Sequence, residues 1–277
     1  MPVAVVTDST AALPPSLAAG LTVVPLTVII DGVEAQEGIG VAPGAVAEAL
    51  TAGKPVSTSR PAPSTFAIEY ERLLAAGHDA VLSVHLSSKL SGTWESAALA
   101  AKDFADRVQV IDSGGAGMGI GFPAVAAAAA ASAGGDLAAV RAAALAAIDR
   151  TTTLFYVDTL EFMRRGGRIS ATSAAVGTAL AVKPILGMRD GSVVPLEKVR
   201  TSSRAIARVV ERAADAVGDA TVDVVVQHAA APERADALAS ALSSRLSVRE
   251  RYVGEVGAVL AAHSGPGLVC AVLHRVP

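Results

Sequence analysis

Cysteine is all but absent from this chain. The single Cys270 excludes an intrachain disulfide and any zinc site built on thiolates. It lies in the apolar run 268–273, where a small buried hydrophobe on a strand is its ordinary role. Aromatic residues make up only 3% of the sequence, so a core has to be assembled from Ala, Val, Leu and Ile. Charge is scarce as well, with a formal net value of −3 over 277 residues. Nucleic-acid binders need a basic field and membrane anchors a polybasic run, and this balance argues against both. Long apolar spans are missing. The start, residues 1–6, has no basic region and is soon interrupted by Thr7-Asp8-Ser9, so it reads as a first strand rather than a signal peptide. The softest run, residues 116–133, is mostly Ala and Gly and contains Pro123, too weak for a membrane span. A cytoplasmic protein without an integral membrane segment is expected, with room left for transient membrane contact.

What is present is an alternation of short apolar strands and helices, which implies parallel β-α units. Strands are expected over 3–6, 21–30, 33–39, 80–86 and 108–113, the last ending in Asp112-Ser113. Between them, helices are expected after Pro14-Pro15, over 42–50, over 65–76 with Ser64 as cap, and over 94–104. Residues 55–64, with three prolines and four hydroxyl residues, read as an ordered extended loop. Helices over 125–132 and from Asp136 to Asp149 close the first half. The second half mixes a strand over 153–157, a short helix over 160–165, a helix over 174–182 and a hairpin turning at Asp190-Gly191. It continues with helices around 206–217 and 238–246 and strands over 222–226 and 268–273. The expectation is an α/β chain of two domains: an N-terminal parallel-sheet α/β domain over 1–152 and a C-terminal α+β domain over 153–277.

In a parallel sheet, ligands sit outside the carboxyl ends of the strands. Asp8-Ser9, Ser87–Thr93 and Asp112-Ser113 all follow strands and should share that edge. The loop Ser87-Ser88-Lys89-Leu90-Ser91-Gly92-Thr93 opens a helix, where unpaired amides and the helix dipole attract an anion. Thr58, flanked by Ser57 and Ser59, supplies hydroxyls of the same kind. Neither segment has an acid or base beside it, so this inventory suits holding a carboxylate or phosphate rather than activating a nucleophile. Ser91 does not stand in Gly-x-Ser-x-Gly, and no phosphate-binding Gly-x-x-x-x-Gly-Lys-Ser/Thr loop is present. The glycines of 114–121 fit no dinucleotide fingerprint. The five histidines make no metal cluster by spacing. His263, ahead of Ser264-Gly265-Pro266-Gly267, is a hydrogen-bond donor or a low-pH cation beside a bound acid, or a structural turn residue. Arg168, after Gly166-Gly167, either ends a solvated helix or bridges two loops or domains through its planar fork. Arg200 and Arg204 offer a surface docking patch or are simply exposed. Two competing readings stay open: a metal-dependent phosphoryl- or acyl-transfer enzyme using Asp8 or Asp112, and a sensor domain for a small anion.

Seven segments, taken together and in order, carry a resemblance. They are Val5–Ala11, Ser57-Thr58-Ser59 before Pro61, Ser87–Glu95, Ile111-Asp112-Ser113, Leu160–Ser170, Lys183–Leu186 and His263–Gly267. The chain resembles the DegV family of bacterial fatty-acid-binding proteins, the FakB-type subunits of fatty acid kinase, over essentially its whole length. The resemblance implies a two-domain DegV-like fold with a long-chain fatty acid as ligand and no cofactor, metal or catalytic residue of its own. Thr58 and Ser91 would contact the carboxylate, with Gly92 in the same loop and His263 in the same network. Arg168 would tie the domains together, with Ser59 and Ser88 in support. A separate kinase subunit would phosphorylate the bound acid to an acyl phosphate, feeding phospholipid metabolism. Two positions depart from the family's pattern: Arg60 where Gln is frequent, and Trp94 where Tyr is. Arg60 either adds positive charge near the carboxylate or points to solvent.

Overall fold

The computed structural model describes residues 2–169 and 182–277. In chain order the elements are β1 (Val3–Asp8), β2 (Leu21–Val24), β3 (Thr27–Ile30), β4 (Val33–Gln36), α1 (Pro43–Thr51), β5 (Val56–Ser59), α2 (Pro63–Ala75), β6 (Ala80–His85), α3 (Thr93–Ala101), β7 (Val108–Asp112), α4 (Met118–Ser132) and α5 (Leu137–Asp149). They continue with β8 (Thr151–Tyr156), α6 (Glu161–Arg165), β9 (Lys183–Arg189), β10 (Ser192–Val199), α7 (Ser202–Val217), β11 (Val222–His228), α8 (Pro232–Arg245), β12 (Val248–Glu255), α9 (Ala258–Ser264) and β13 (Val269–Arg275). Two compact units result, Met1–Thr27 with Ser59–Asp149, and Val28–Thr58 with Arg150–Pro277.

The first unit is a parallel sheet in the order β2-β1-β6-β7. Alternation along β1 supplies both of its faces. Val3 and Val5 pack with Ile120, Ala127, Val140 and Ala144 of α4 and α5. Ala4 and Val6 pack with Phe66, Tyr70, Leu73 and Ala97 of α2 and α3. A sheet covered on both sides reads as a continuous apolar run, which is why β1 and β6 are buried at every position. The second unit holds a mixed sheet in the order β10-β9-β8-β13-β11-β12, where only β11 and β12 run parallel. Val209, Ala213 and Val217 of α7 and Leu238 and Leu242 of α8 cover one face. Strands β4-β3-β5 make a third, small sheet. The parallel-sheet domain followed by a second, sheet-rich domain agrees with the expected class.

Several details differ from expectation, each for a local reason. The strand expected over 21–30 is two strands in different sheets. Pro25 has no N–H for a ladder, and the Leu26 amide turns to Ser9 Oγ at 2.9 Å. Residues 28–58 belong with the second unit, so the first domain is not the contiguous 1–152. Within that unit Glu37 is buried and accepts the Val259 amide at the start of α9 at 2.8 Å. The loop expected over 55–64 contains β5, because Val56–Ser59 pairs in the small sheet. Helix α2 starts at Pro63 without a side-chain cap from Ser64, since proline at the first helical position presets φ and needs no N–H partner. Helix α4 begins at Met118 and runs through Pro123. Strand β12 had no apolar pattern to announce it, because it is an edge strand with mostly exposed side chains. Of the expected helix 174–182, only Val182 lies within the described residues, and Ser170 lies outside them too.

Candidate functional site

Thr58, near the end of β5, meets the last turn of α9. Its Oγ1 lies 2.8 Å from His263 Nε2. Burial, and then the nearby Arg168 charge, push the His263 pKa down to about 4. The imidazole is therefore neutral at physiological pH and becomes a cation only in acid, near pH 4. A neutral ring that carries its proton on Nε2 donates to Thr58 Oγ1. The Thr58 hydroxyl proton is then free for another acceptor. The turn around His263 is tightly set. A Cβ on Gly166 would fall 2.5 Å from His263 Nδ1, and Arg168 donates from Nη1 to the Gly166 carbonyl.

The second hydroxyl group of interest lies in the first unit. Beyond β6, the Leu90 and Ser91 amides donate to the Ser87 carbonyl at 2.9 and 3.1 Å. The Ser88 amide donates to the Asp112 carboxylate at 3.3 Å, so Ser88 supports the loop through its backbone. Ser91 Oγ lies 3.0 Å from Thr93 Oγ1, which is fully buried. With Thr93 as donor, Ser91 keeps its own proton available, the same logic as His263 behind Thr58. Gly92 caps α3 with an ordinary φ of −75°, and its carbonyl accepts from Arg60 Nη1 at 3.3 Å. Arg60 therefore does not simply point away into solvent. Ser59 is exposed and donates to the Arg60 carbonyl at 3.3 Å.

Behind this loop runs a buried polar relay that sequence reasoning missed. Tyr70 OH donates to Ser83 Oγ at 2.9 Å, Ser83 Oγ lies 2.7 Å from His85 Nε2, and His85 Nδ1 lies 2.9 Å from Asp8 Oδ2. All four residues are fully buried. The donor directions agree if Ser83 gives its proton to Nε2 and His85 gives Nδ1–H to the carboxylate. Asp8 Oδ2 also accepts the Leu86 amide, and Oδ1 accepts the Thr10 amide and hydroxyl. Serine, histidine and aspartate thus stand in the order of a hydrolytic triad, but without access. The signal was available in two polar residues, Ser83 and His85, inside an otherwise apolar strand.

This geometry bears on the metal reading. Every lone-pair direction of the Asp8 carboxylate is taken by a protein donor. Asp112 is held by the Ser88 and Gly114 amides. Among the described residues no group of three His, Cys, Asp or Glu side chains is arranged to hold a metal ion, and no helix is long and apolar enough to cross a membrane. Arg200 and Arg204 are exposed at the start of α7, where the Arg204 amide is capped by Thr201 Oγ1 at 3.3 Å.

The histidines give the fold a pH dependence. His274, 3.0 Å from Thr151 Oγ1, is also pushed down to about 4, first by burial and then by Arg150. Both rings are neutral when folded but take up protons near pH 6.5 when unfolded. Acid therefore favours the unfolded chain. Stability should be full above about pH 6.5 and decline as pH falls towards 4, by up to about 3 kcal/mol from His263 and by less from the partly screened His274. Urea midpoints across this window should fall less steeply in His263→Gln than in the parent. Parallel curves would show that His263 is not one of the groups responsible.

The comparisons with known proteins agree with this architecture. A sequence model of the DegV family, whose members it describes as uncharacterised proteins, matches residues 2–275. A DegV domain-containing protein of Streptomyces coelicolor is 48% identical over 274 residues, covering 98% of each chain. A DegV family protein of Thermus thermophilus, whose structure is described as showing fatty acid binding, superposes with a TM-score of 0.94. Its identity is 34%, and all of both chains is covered. DegV of Bacillus subtilis, described as a fatty acid binding protein, gives 0.89 at 32% identity, again over all of both chains. The chain belongs to the DegV family.

Proposed function

We propose that this protein carries a long-chain fatty acid and presents its carboxyl group to a separate kinase subunit, which phosphorylates it to an acyl phosphate. The hydroxyls of Thr58 and Ser91 hold the carboxylate, together with the amides of the Gly92 loop. Arg168 ties the two domains, and Arg200 and Arg204 meet the kinase. The observation that carries this reading is the Thr58–His263 pair at 2.8 Å, with the imidazole held neutral. It orients a hydroxyl to donate to an anion. With a pKa of about 4, His263 is too weak a base to activate a nucleophile at neutral pH, so the protein holds its ligand and leaves phosphoryl transfer to the partner. The fatty acid binding described for the Thermus thermophilus and Bacillus subtilis proteins gives further support. A tail of ~16 carbons at ~0.8 kcal/mol per methylene supplies about 12 kcal/mol before ordering costs. Apolar burial thus sets affinity and the polar loops set orientation.

Lipid extraction and mass spectrometry of the purified protein should find a long-chain fatty acid. Thr58→Ala and Ser91→Ala should each reduce retention about tenfold, as expected for losing a hydrogen bond to a charged group. Ser96→Ala, a control at the buried face of α3, should keep it. Equal retention in all three would remove the head-group assignment. Turnover of ATP and fatty acid by the lone protein would replace the carrier with an enzyme.

A further inference from the structure

Among the described residues Arg60 is a cation without a counter-ion. Its Nη1 donates to the Gly92 carbonyl at 3.3 Å, and it forms no ion pair among the described residues. The acidic side chains on the elements around it are accounted for. Asp112 is engaged by the Ser88 and Gly114 amides, and Glu95, in the first turn of α3, is exposed and not bonded to Arg60. Lys89 on the same loop is exposed and adds positive charge. The guanidinium lies close against the loop, since a Cβ on Gly92 would fall 1.5 Å from Nη1. The φ of Gly92 is ordinary, so a side chain there would have to displace only the flexible end of Arg60. The other guanidinium N–H groups make no hydrogen bond among the described residues, at a loop position next in sequence to Ser91.

A guanidinium fork matches either a carboxylate or a phosphoryl group. An exposed pair with a single negative charge gains little. A phosphoryl group carries close to two charges and three acceptor oxygens, so the same cation acts on it more strongly. We propose that Arg60 is a specificity-determining residue, favouring a phosphorylated acyl head over the free carboxylate at the Ser91 loop. The inference rests on the carrier reading above and deepens it, since the retained species is the product of the proposed phosphorylation.

The test uses delipidated full-length protein titrated with palmitate and with hexadecyl phosphate, a stable monoester. Arg60→Gln should weaken hexadecyl phosphate binding about tenfold and palmitate binding less than about threefold. Arg60→Lys should restore part of the phosphate affinity, and added salt should weaken phosphate binding less in Arg60→Gln than in the parent. Equal losses for the two ligands, or none, would overturn the role of Arg60 while leaving the carrier intact. Parent protein that binds neither lipid would overturn the carrier reading and this one with it.

Discussion

Replacing Asp8 with Asn is expected to lower the unfolding free energy by about 3 kcal/mol, because an amide cannot satisfy the donors that converge on this carboxylate. In the native chain Oδ1 accepts from Thr10, and Oδ2 accepts from both the Leu86 amide and His85 Nδ1. If the asparagine keeps its oxygen towards Thr10, its NH₂ faces two other donors. His85 can escape by shifting its proton to Nε2, but it then presents a proton to Ser83, whose hydroxyl already accepts from Tyr70. The Leu86 amide has no such escape and stays buried without an acceptor. Denaturant unfolding measures the cost, and hydrogen exchange at Leu86 locates it at the root of the Ser87–Thr93 loop. Tyr70→Phe removes only the outer end of the relay and should cost about 1 kcal/mol. Similar midpoints for the parent, Asp8→Asn and Tyr70→Phe would mean that the relay does not hold the loop.

The relay also marks where reading the chain in sequence stopped short. The turn after β1 was legible as a turn, and Asp8 does accept the Thr10 amide as a cap residue should. Its larger role depends on Tyr70, Ser83 and His85, and no periodicity links those three positions to Asp8. The shared edge of Asp8, Ser87 and Asp112 was legible, because short apolar strands alternating with helices leave few alternatives to parallel pairing. Membership of residues 28–58 in the second unit was not. It includes the contact of Glu37 with the start of α9, between positions 222 residues apart. Thr58 and His263 illustrate both cases. Each was legible as a hydroxyl or imidazole in a special turn, while their pairing over 205 residues was visible only in the fold. Arg60 was undecided in sequence, because an exposed guanidinium has no pattern. The Gly92 carbonyl decided where it lies.

Gly265→Ala is expected to remove about 3 kcal/mol of stability and most of the fatty acid retention. Two penalties combine. Its φ of 76° and ψ of 170° lie in a region essentially reserved for glycine, where a side chain costs about 1–3 kcal/mol. The new Cβ would also fall 2.1 Å from Phe162 Cδ2, an overlap that only a shift of the ring or of the turn can relieve. Phe162 lies in α6, and its carbonyl accepts the Gly166 amide at 2.9 Å. Gly166 in turn abuts His263 Nδ1, so displacement of α6 reaches the imidazole that orients Thr58. Gly218→Ala separates the two penalties. Its φ of 58° and ψ of −132° also favour glycine, but no atom lies within 4 Å of the added Cβ, so it should carry only the backbone penalty of about 1–3 kcal/mol and leave retention unchanged. Unfolding midpoints and co-purified fatty acid, compared for the two variants, test whether the turn behind His263 holds the head-group site. A Gly265→Ala protein as stable and as lipid-loaded as Gly218→Ala would mean that it does not.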